Sequence, residues 1–167
     1  VINNASTDET EQVVTMCAAQ SSIPIRHVFE AVPGIPNARN RGLVESRGDW
    51  IAFFDDDQLA SPDWLGQLLK SATDEGVLCV GGCRSLVFEK AEPPRLPSRI
   101  RYLLGEILDG DKKDYHARFL PCTGNVLIHR SVFEQVGKFD PSVLDGGEDS
   151  DFFNRMLNDG IRAVYTP

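Results

Sequence analysis

The chain has 167 residues, 41% apolar and 25% charged, which suits one globular domain with a sizeable core and excludes a disordered chain. Its 17 Lys and Arg stand against 25 Asp and Glu, and the resulting net charge of −8 repels phosphate backbones, excluding general nucleic-acid binding. No apolar run approaches the roughly 20 residues that span a bilayer, and the opening Val1-Ile2-Asn3-Asn4 is neither a signal peptide nor an initiator segment.

In chain order, Val1-Ile2 reads as the tail of a strand, and a polar turn over residues 3–8 follows it. Ser6, Thr7 or Asp8 can cap a helix over residues 9–20. Residues 25–32 form a second strand candidate, ended by Pro33-Gly34, and Pro36 opens a short helix over residues 37–46. Trp50-Ile51-Ala52-Phe53-Phe54 is a continuous apolar run, as expected of a buried parallel strand. After Pro62, the residues Trp64, Leu65, Leu68, Leu69 and Ala72 recur at helical spacing on one face, and residues 77–83 return as a strand. This β-α-β-α-β-α-β rhythm predicts an α/β fold with a parallel sheet covered by helices.

Residues 89–121 break the rhythm with four prolines and a charged run, around one helix candidate at residues 98–108. They read as a lid-like excursion over the ligand edge, dividing a single domain into residues 1–88 and 89–167. Order resumes with a strand at residues 125–129, a short helix from Ser131 to Gly137, a helix at residues 148–158 and a strand at residues 161–165. The cysteines Cys17, Cys79, Cys83 and Cys122 are too few and scattered for a disulfide scaffold. Cys79 and Cys83, inside apolar runs, are expected as buried thiols, and the reduced cytosol is the natural compartment.

Four segments can carry chemistry. Asp55-Asp56-Asp57 follows directly on an apolar strand, at the end where open sheets bind ligands. Adjacent carboxylates repel unless a cation neutralises them, and hard oxygen ligands favour Mg²⁺ or Mn²⁺ shared with substrate phosphates. Strand alternation puts Asp55 and Asp57 on one side and Asp56 on the other. The competing reading is a solvated acidic turn. Gly146-Gly147-Glu148-Asp149 fits either a general base at a cleft or ordinary helix capping. Arg39 and Arg41 suit phosphate contact or surface ion pairing, and Thr123-Gly124-Asn125 is small and polar at a strand entry.

Taken together, these segments resemble the family 2 inverting glycosyltransferases, which have the GT-A (nucleotide-diphospho-sugar transferase) fold. The resemblance is carried by Asn3-Asn4-Ala5-Ser6-Thr7-Asp8, Ala38-Arg39-Asn40-Arg41-Gly42, Gly48-Asp49-Trp50 through Asp57, and Pro62-Asp63-Trp64-Leu65. Thr123-Gly124-Asn125, Gly137-Lys138-Phe139-Asp140 and Gly147-Glu148-Asp149-Ser150-Asp151 with Arg155 complete it over nearly the whole chain. It implies a mainly parallel, Rossmann-like sheet with helices on both faces. It also implies a hexosyltransferase-type enzyme moving sugar from a nucleoside-diphosphate-sugar to an acceptor hydroxyl with inversion, in glycan or polysaccharide biosynthesis.

By this resemblance Asp57 and Asp55 hold the divalent metal (Mn²⁺ or Mg²⁺), and Asn3, Asp8, Arg39, Asp55 and Asp56 line the nucleotide. Asp149 is the general base with Glu148 beside it or in its stead, and Thr123, Gly124 and Asn125 line the donor-sugar and acceptor side. A UDP-sugar is favoured, a GDP-sugar is the other donor, and the acceptor is a saccharide or a lipid-linked one. The expected place is the cytoplasm or the cytoplasmic face of the membrane. Two departures stand out: Asn3 replaces the family's usual aspartate, and the family's first strand has no counterpart while the last is clipped. The chain therefore reads as a fragment, incomplete at the N-terminus. A sugar-phosphate nucleotidyltransferase, an aspartyl phosphatase and a non-catalytic carbohydrate-binding fragment are the alternatives.

Overall fold

The computed structural model describes residues 1–88, 96–108, 110–143 and 146–167. In chain order its elements are Ile2–Asn4 (β1), Thr10–Gln20 (α1), Val28–Glu30 (β2), Ile35–Glu45 (α2), Trp50–Phe54 (β3), Trp64–Glu75 (α3) and Cys79–Gly82 (β4). Ser98–Leu103 (α4), Lys113–Asp114 (β5), Asn125–His129 (β6), Arg130–Val136 (α5), Glu148–Asn158 (α6) and Ala163–Thr166 (β7) follow. Among the described residues no helix is long and apolar enough to cross a membrane.

The strands form two sheets. β1 and β2 pair in parallel, and five strands form the second sheet in the order β3-β6-β4-β7-β5. The strand-helix rhythm predicts a parallel sheet, but β3 and β4 are not paired with each other. β6 lies between them and runs antiparallel to both, from Trp50↔His129 to Phe54↔Asn125 on one side and from Cys79↔Ile128 to Gly81↔Val126 on the other. β7 then adds to β4 in parallel, and β5 pairs with β7 antiparallel. β3, β4 and β7 thus share one direction while β6 and β5 oppose it. Residues 1–88 and 89–167 are interleaved in this one sheet.

Alternation along β6 separates two apolar layers. Val126 and Ile128 join Ile51, Cys79 and Tyr165 against Phe133, Phe152, Phe153 and Met156 of α5 and α6. Leu127 faces the other way, with Val80 and Val164, onto Leu68 and Ala72 of α3. Phe152 stacks on Phe133 with ring centroids 4.9 Å apart and meets Phe139 at 4.8 Å, contacts that add to plain area burial. By contrast α1 buries none of its residues, and Val13 and Met16, one turn apart on the same face, are exposed.

The excursion over residues 89–121 is only partly an excursion. Residues 89–95 and Asp109 lie outside the described residues. Helix α4 is shorter than expected, ending before Gly105, whose φ is +94°. Beyond it, β5 extends the sheet and Tyr115 is buried in the core, stacked on Phe119 at 4.7 Å. Cys79 is buried as expected, whereas Cys83 is exposed, because β4 ends at Gly82 and the chain leaves the core there.

Polar side chains hold the turns that the sequence patterns mark. Asn4 donates from Nδ2 to the Val32 carbonyl (2.7 Å) and accepts the Gly34 N–H on Oδ1 (2.8 Å), tying β1 to the start of α2. Asn40 of α2 donates to the Phe139 carbonyl (2.8 Å) and accepts the Phe139 N–H (3.1 Å). From the other side, Arg155 of α6 donates to the carbonyls of Val136 and Lys138, both at 2.8 Å. Replacing Asn40 by Ala leaves one backbone donor and one acceptor unpaired. Its expected cost is about 1–3 kcal/mol, measured as a fall in the denaturation midpoint in urea with an unchanged slope.

Candidate active site

Two clefts adjoin at Arg84, and the larger opens at the carboxyl end of β3. The larger, of ≈1080 Å³, is lined by Asp55, Asp57, Gln58, Trp64 and Arg84 among others. The smaller, of ≈420 Å³, includes Arg84, Arg118, Cys122 and Asp149. Strand β3 ends at Phe54, so alternation no longer applies to the three acids. A tight turn, closed by the Gln58 N–H on the Asp55 carbonyl at 3.3 Å, nonetheless turns Asp55 and Asp57 into the same cleft. Asp56 is exposed and is not among that cleft's lining residues.

Asp55 is held above the usual carboxylate range, chiefly by burial, with the charges of Asp57 and Asp56 adding to the effect and those of Arg39 and Arg84 opposing it. Gly124 makes this crowding possible. A Cβ there would lie 2.7 Å from both Arg84 Nη1 and Asp55 Oδ2, and 2.9 Å from Gln58 Nε2. Only a residue without a side chain lets the three groups converge.

Thr123 is buried, and its Oγ1 has no hydrogen-bond partner. Asn125 lines the larger cleft and is also bonded within the protein. Its Oδ1 accepts the Trp64 indole N–H at 2.7 Å and its Nδ2 donates to the Cys83 carbonyl at 2.7 Å, so its amide joins α3 to the end of β4. Trp64 in turn packs on Phe54 with centroids 4.7 Å apart.

The paired acids at the start of α6 separate. Glu148 is buried and forms an ion pair with Arg39, whose guanidinium lies over the Phe139 ring at 5.6 Å. Expected as a possible base, Glu148 is instead committed to this pair, and Arg39, expected at the nucleotide, spends its charge there. Asp149 is half-buried and lines the smaller cleft, its Oδ1 accepting the Ser150 N–H at 2.7 Å.

The two N-terminal residues expected at the nucleotide are not brought to either cleft. Asn3 is buried and accepts the Ser6 N–H at 2.9 Å across a turn in which Ala5 has φ +57°. Asp8 is exposed and accepts hydrogen bonds from the Thr10 backbone N–H and hydroxyl, which hold its carboxyl below the usual range. It closes a local turn ahead of α1, whose N-cap is Glu9 and has no side-chain cap.

Arg84 is the site residue that the sequence motifs pass over. It follows Gly81-Gly82-Cys83 directly at the carboxyl end of β4, and a basic residue at that sheet edge in an acidic chain is the signal that could have found it.

Among the described residues there is no cluster of three or more His, Cys, Asp or Glu able to hold a metal. Asp55 and Asp57 still fit a hard divalent ion, because such ions keep several waters and need only one or two carboxylates when substrate phosphates complete the shell.

A model of the family described as glycosyl transferase family 2 matches residues 1–137. The succinoglycan biosynthesis protein ExoM of Rhizobium meliloti is 29% identical over 175 residues, covering all of this chain and 53% of that protein. A glucosyl-dolichyl phosphate glucuronosyltransferase of Haloferax volcanii is 26% identical over 74% of this chain and 40% of its own length. The chain thus spans about half the length of the curated relatives it matches. Among solved structures, a mannosyltransferase from Pyrobaculum calidifontis in complex with GDP-Man and Mn²⁺ superposes with a TM-score of 0.73 at 22% identity, covering 100% of this chain and 44% of that one. S. aureus TarS in complex with UDP-GlcNAc gives 0.70 at 15% identity, covering 99% and 46%.

The raised carboxyl of Asp55 sets a stability signature. Its folded pKa lies above the unfolded value, so the folded chain takes up the proton first and stability rises as pH falls through the window between the two. Asp55→Asn is therefore expected to raise the thermal midpoint at neutral pH, with the gain vanishing once the pH is below both values. Melting curves of the two proteins across pH check this; a less stable variant at neutral pH would mean that the two arginines outweigh burial.

Proposed function

The chain belongs to glycosyl transferase family 2 and has the GT-A fold, and on that premise we propose that it transfers a sugar from a nucleoside-diphosphate-sugar to an acceptor hydroxyl with inversion. The observation that carries the reading is the joining of two acid sites through one point. Asp55 and Asp57 share one cleft, Asp149 faces the next, and Arg84 lines both. Family membership favours glycosyl transfer over nucleotidyl transfer or an aspartyl phosphatase.

In this reading the donor's diphosphate lies at Asp55 and Asp57, with its sugar directed toward Asp149. A divalent ion held there would neutralise the diphosphate and the negative charge gathered on it during transfer. Asp149 accepts the proton of the acceptor hydroxyl as that oxygen attacks the anomeric carbon. The nucleoside diphosphate departs from the opposite face, and this single displacement inverts the anomeric centre. The ion-paired Glu148 orients the first turn of α6 without touching the reacting atoms.

The mannosyltransferase in complex with GDP-Man and Mn²⁺, and TarS in complex with UDP-GlcNAc, support a nucleotide-sugar donor, and the first supports the metal. The succinoglycan relative supports a saccharide acceptor in polysaccharide synthesis. The free thiols Cys17, Cys79, Cys83 and Cys122 accord with a reducing compartment, the cytoplasm or its membrane face.

Calorimetric titration of UDP and GDP with and without Mn²⁺, together with donor turnover, tests the reading. The expected result is metal-dependent binding of one nucleotide, lost in Asp57→Ala. Asp149→Asn should keep that binding while turnover falls by roughly 10²–10⁴-fold. If neither nucleotide binds under any metal condition, the fold serves as a non-catalytic scaffold.

A further inference from the structure

Arg84 is half-buried at the junction of the two clefts, and its guanidinium is underused. Its backbone is fixed by a two-way bridge, the Arg84 N–H on the Ile107 carbonyl and the Ile107 N–H on the Arg84 carbonyl, both 2.9 Å. The side chain donates from Nη1 to the Cys122 sulfur at 3.0 Å, and a thiol is a weak acceptor. Its Nε is buried with no hydrogen-bond partner, and no described carboxylate lies within ion-pair distance of it. A half-buried guanidinium with an unmatched donor, in ion-pair contact with no described carboxylate although the field of Asp55 reaches it, calls for an anionic acceptor.

From these observations we propose that Arg84 binds the donor phosphate to which the sugar is attached. The inference rests on the nucleotide-sugar reading above and adds to it a residue that grips the leaving group. Two placements select that phosphate. Arg84 Nη1 and Asp55 Oδ2 both lie 2.7 Å from the same point, the missing Cβ of Gly124, so the cation stands beside the acid expected at the diphosphate. Arg84 also lines the cleft of Asp149, which places it on the sugar side of that diphosphate and not on the nucleoside side.

The planar fork of arginine matches two phosphate oxygens at once, which a point charge does not. During transfer the bond between the anomeric carbon and the phosphate oxygen breaks, and its electron pair stays on that oxygen. The acceptor oxygen forms the new bond to carbon, and its proton passes to Asp149. The N–H donors of Arg84 meet the charge as it grows on the departing phosphate. Gly124 keeps the path between Arg84 and Asp55 open, and Cys122 steadies the guanidinium without neutralising it.

The test compares nucleoside diphosphate with monophosphate: UDP against UMP and GDP against GMP, by calorimetry with Mn²⁺, in the wild-type protein, Arg84→Ala and Arg84→Lys. Losing a charge-assisted contact to the terminal phosphate should weaken diphosphate binding about ten- to a hundredfold in Arg84→Ala and leave monophosphate binding unchanged. Arg84→Lys, which keeps the charge and stem but loses the fork, should recover part of the loss. It also keeps the test decisive if Arg84→Ala fails to fold. A parallel loss of both ligands, or no change in their ratio in either variant, overturns the proposal while the donor reading stands. If the wild-type protein binds neither UDP nor GDP, the donor reading falls and this inference falls with it.

Discussion

The buried ion pair between Arg39 and Glu148 is the contact on which the arrangement of the site depends. Arg39 lies on α2, which packs on the small β1-β2 sheet, while Glu148 opens α6, which covers the large sheet. Taking two charges out of water is costly, and here each partner offsets the cost for the other, so the loss of one would strand a buried charge. Asn40, one residue on, clasps Phe139 beside this pair, and Phe139 packs under the guanidinium. The direction in which Asp149 leaves the first turn of α6 follows from that anchorage. Arg39 also reaches Asp55 through its field, so one cation couples the start of α6 to the acid at the end of β3.

Around that anchor the protein concentrates charge where it is least comfortable. Burial raises Asp55 and the neighbouring acids push in the same direction, yet Arg39 and Arg84 offset this only in part. A carboxylate poised in this way is stabilised by a cation brought in from outside. Functional sites commonly carry such a cost in stability. On the other side of Gly124 the imbalance is reversed: Arg84 holds positive charge against a thiol. The absence of a side chain at Gly124 lets Asp55 and Arg84 approach the same point.

The elements that local sequence specifies were readable in advance. The run Trp50–Phe54 is a strand as expected, but an edge strand paired only with antiparallel β6 and burying only Ile51, not a buried parallel one; the acids Asp55 and Asp57 after it reach a cleft. Of the face expected from Trp64, Leu65, Leu68, Leu69 and Ala72, α3 buries Leu68 and Ala72 with Trp64 packed beside them, whereas Leu65 and Leu69 are exposed. Side-chain commitments were harder to read. Asn125, Glu148 and Asp8 each have the chemistry to touch a ligand, and each is engaged within the protein: Asn125 with Trp64 and Cys83, Glu148 with Arg39, and Asp8 with Thr10. A hydrogen-bonding group has the same identity whether its partner is a substrate or a turn, so composition and spacing do not distinguish the two.

The sequence by itself determined the family, the order of strands and helices apart from β5, and the position of Asp55, Asp57 and Asp149 at the ends of elements, because those follow from short-range periodicity and from motifs read along the chain. Only the tertiary structure decided that β6 separates β3 from β4, that Asp149 and not Glu148 faces a cleft, and that Arg84 lines both clefts beside Gly124. Those facts depend on which distant segments pair and which charges are buried together. Strand pairing and desolvation are properties of contacts between residues far apart in the chain, and no local window of sequence contains them.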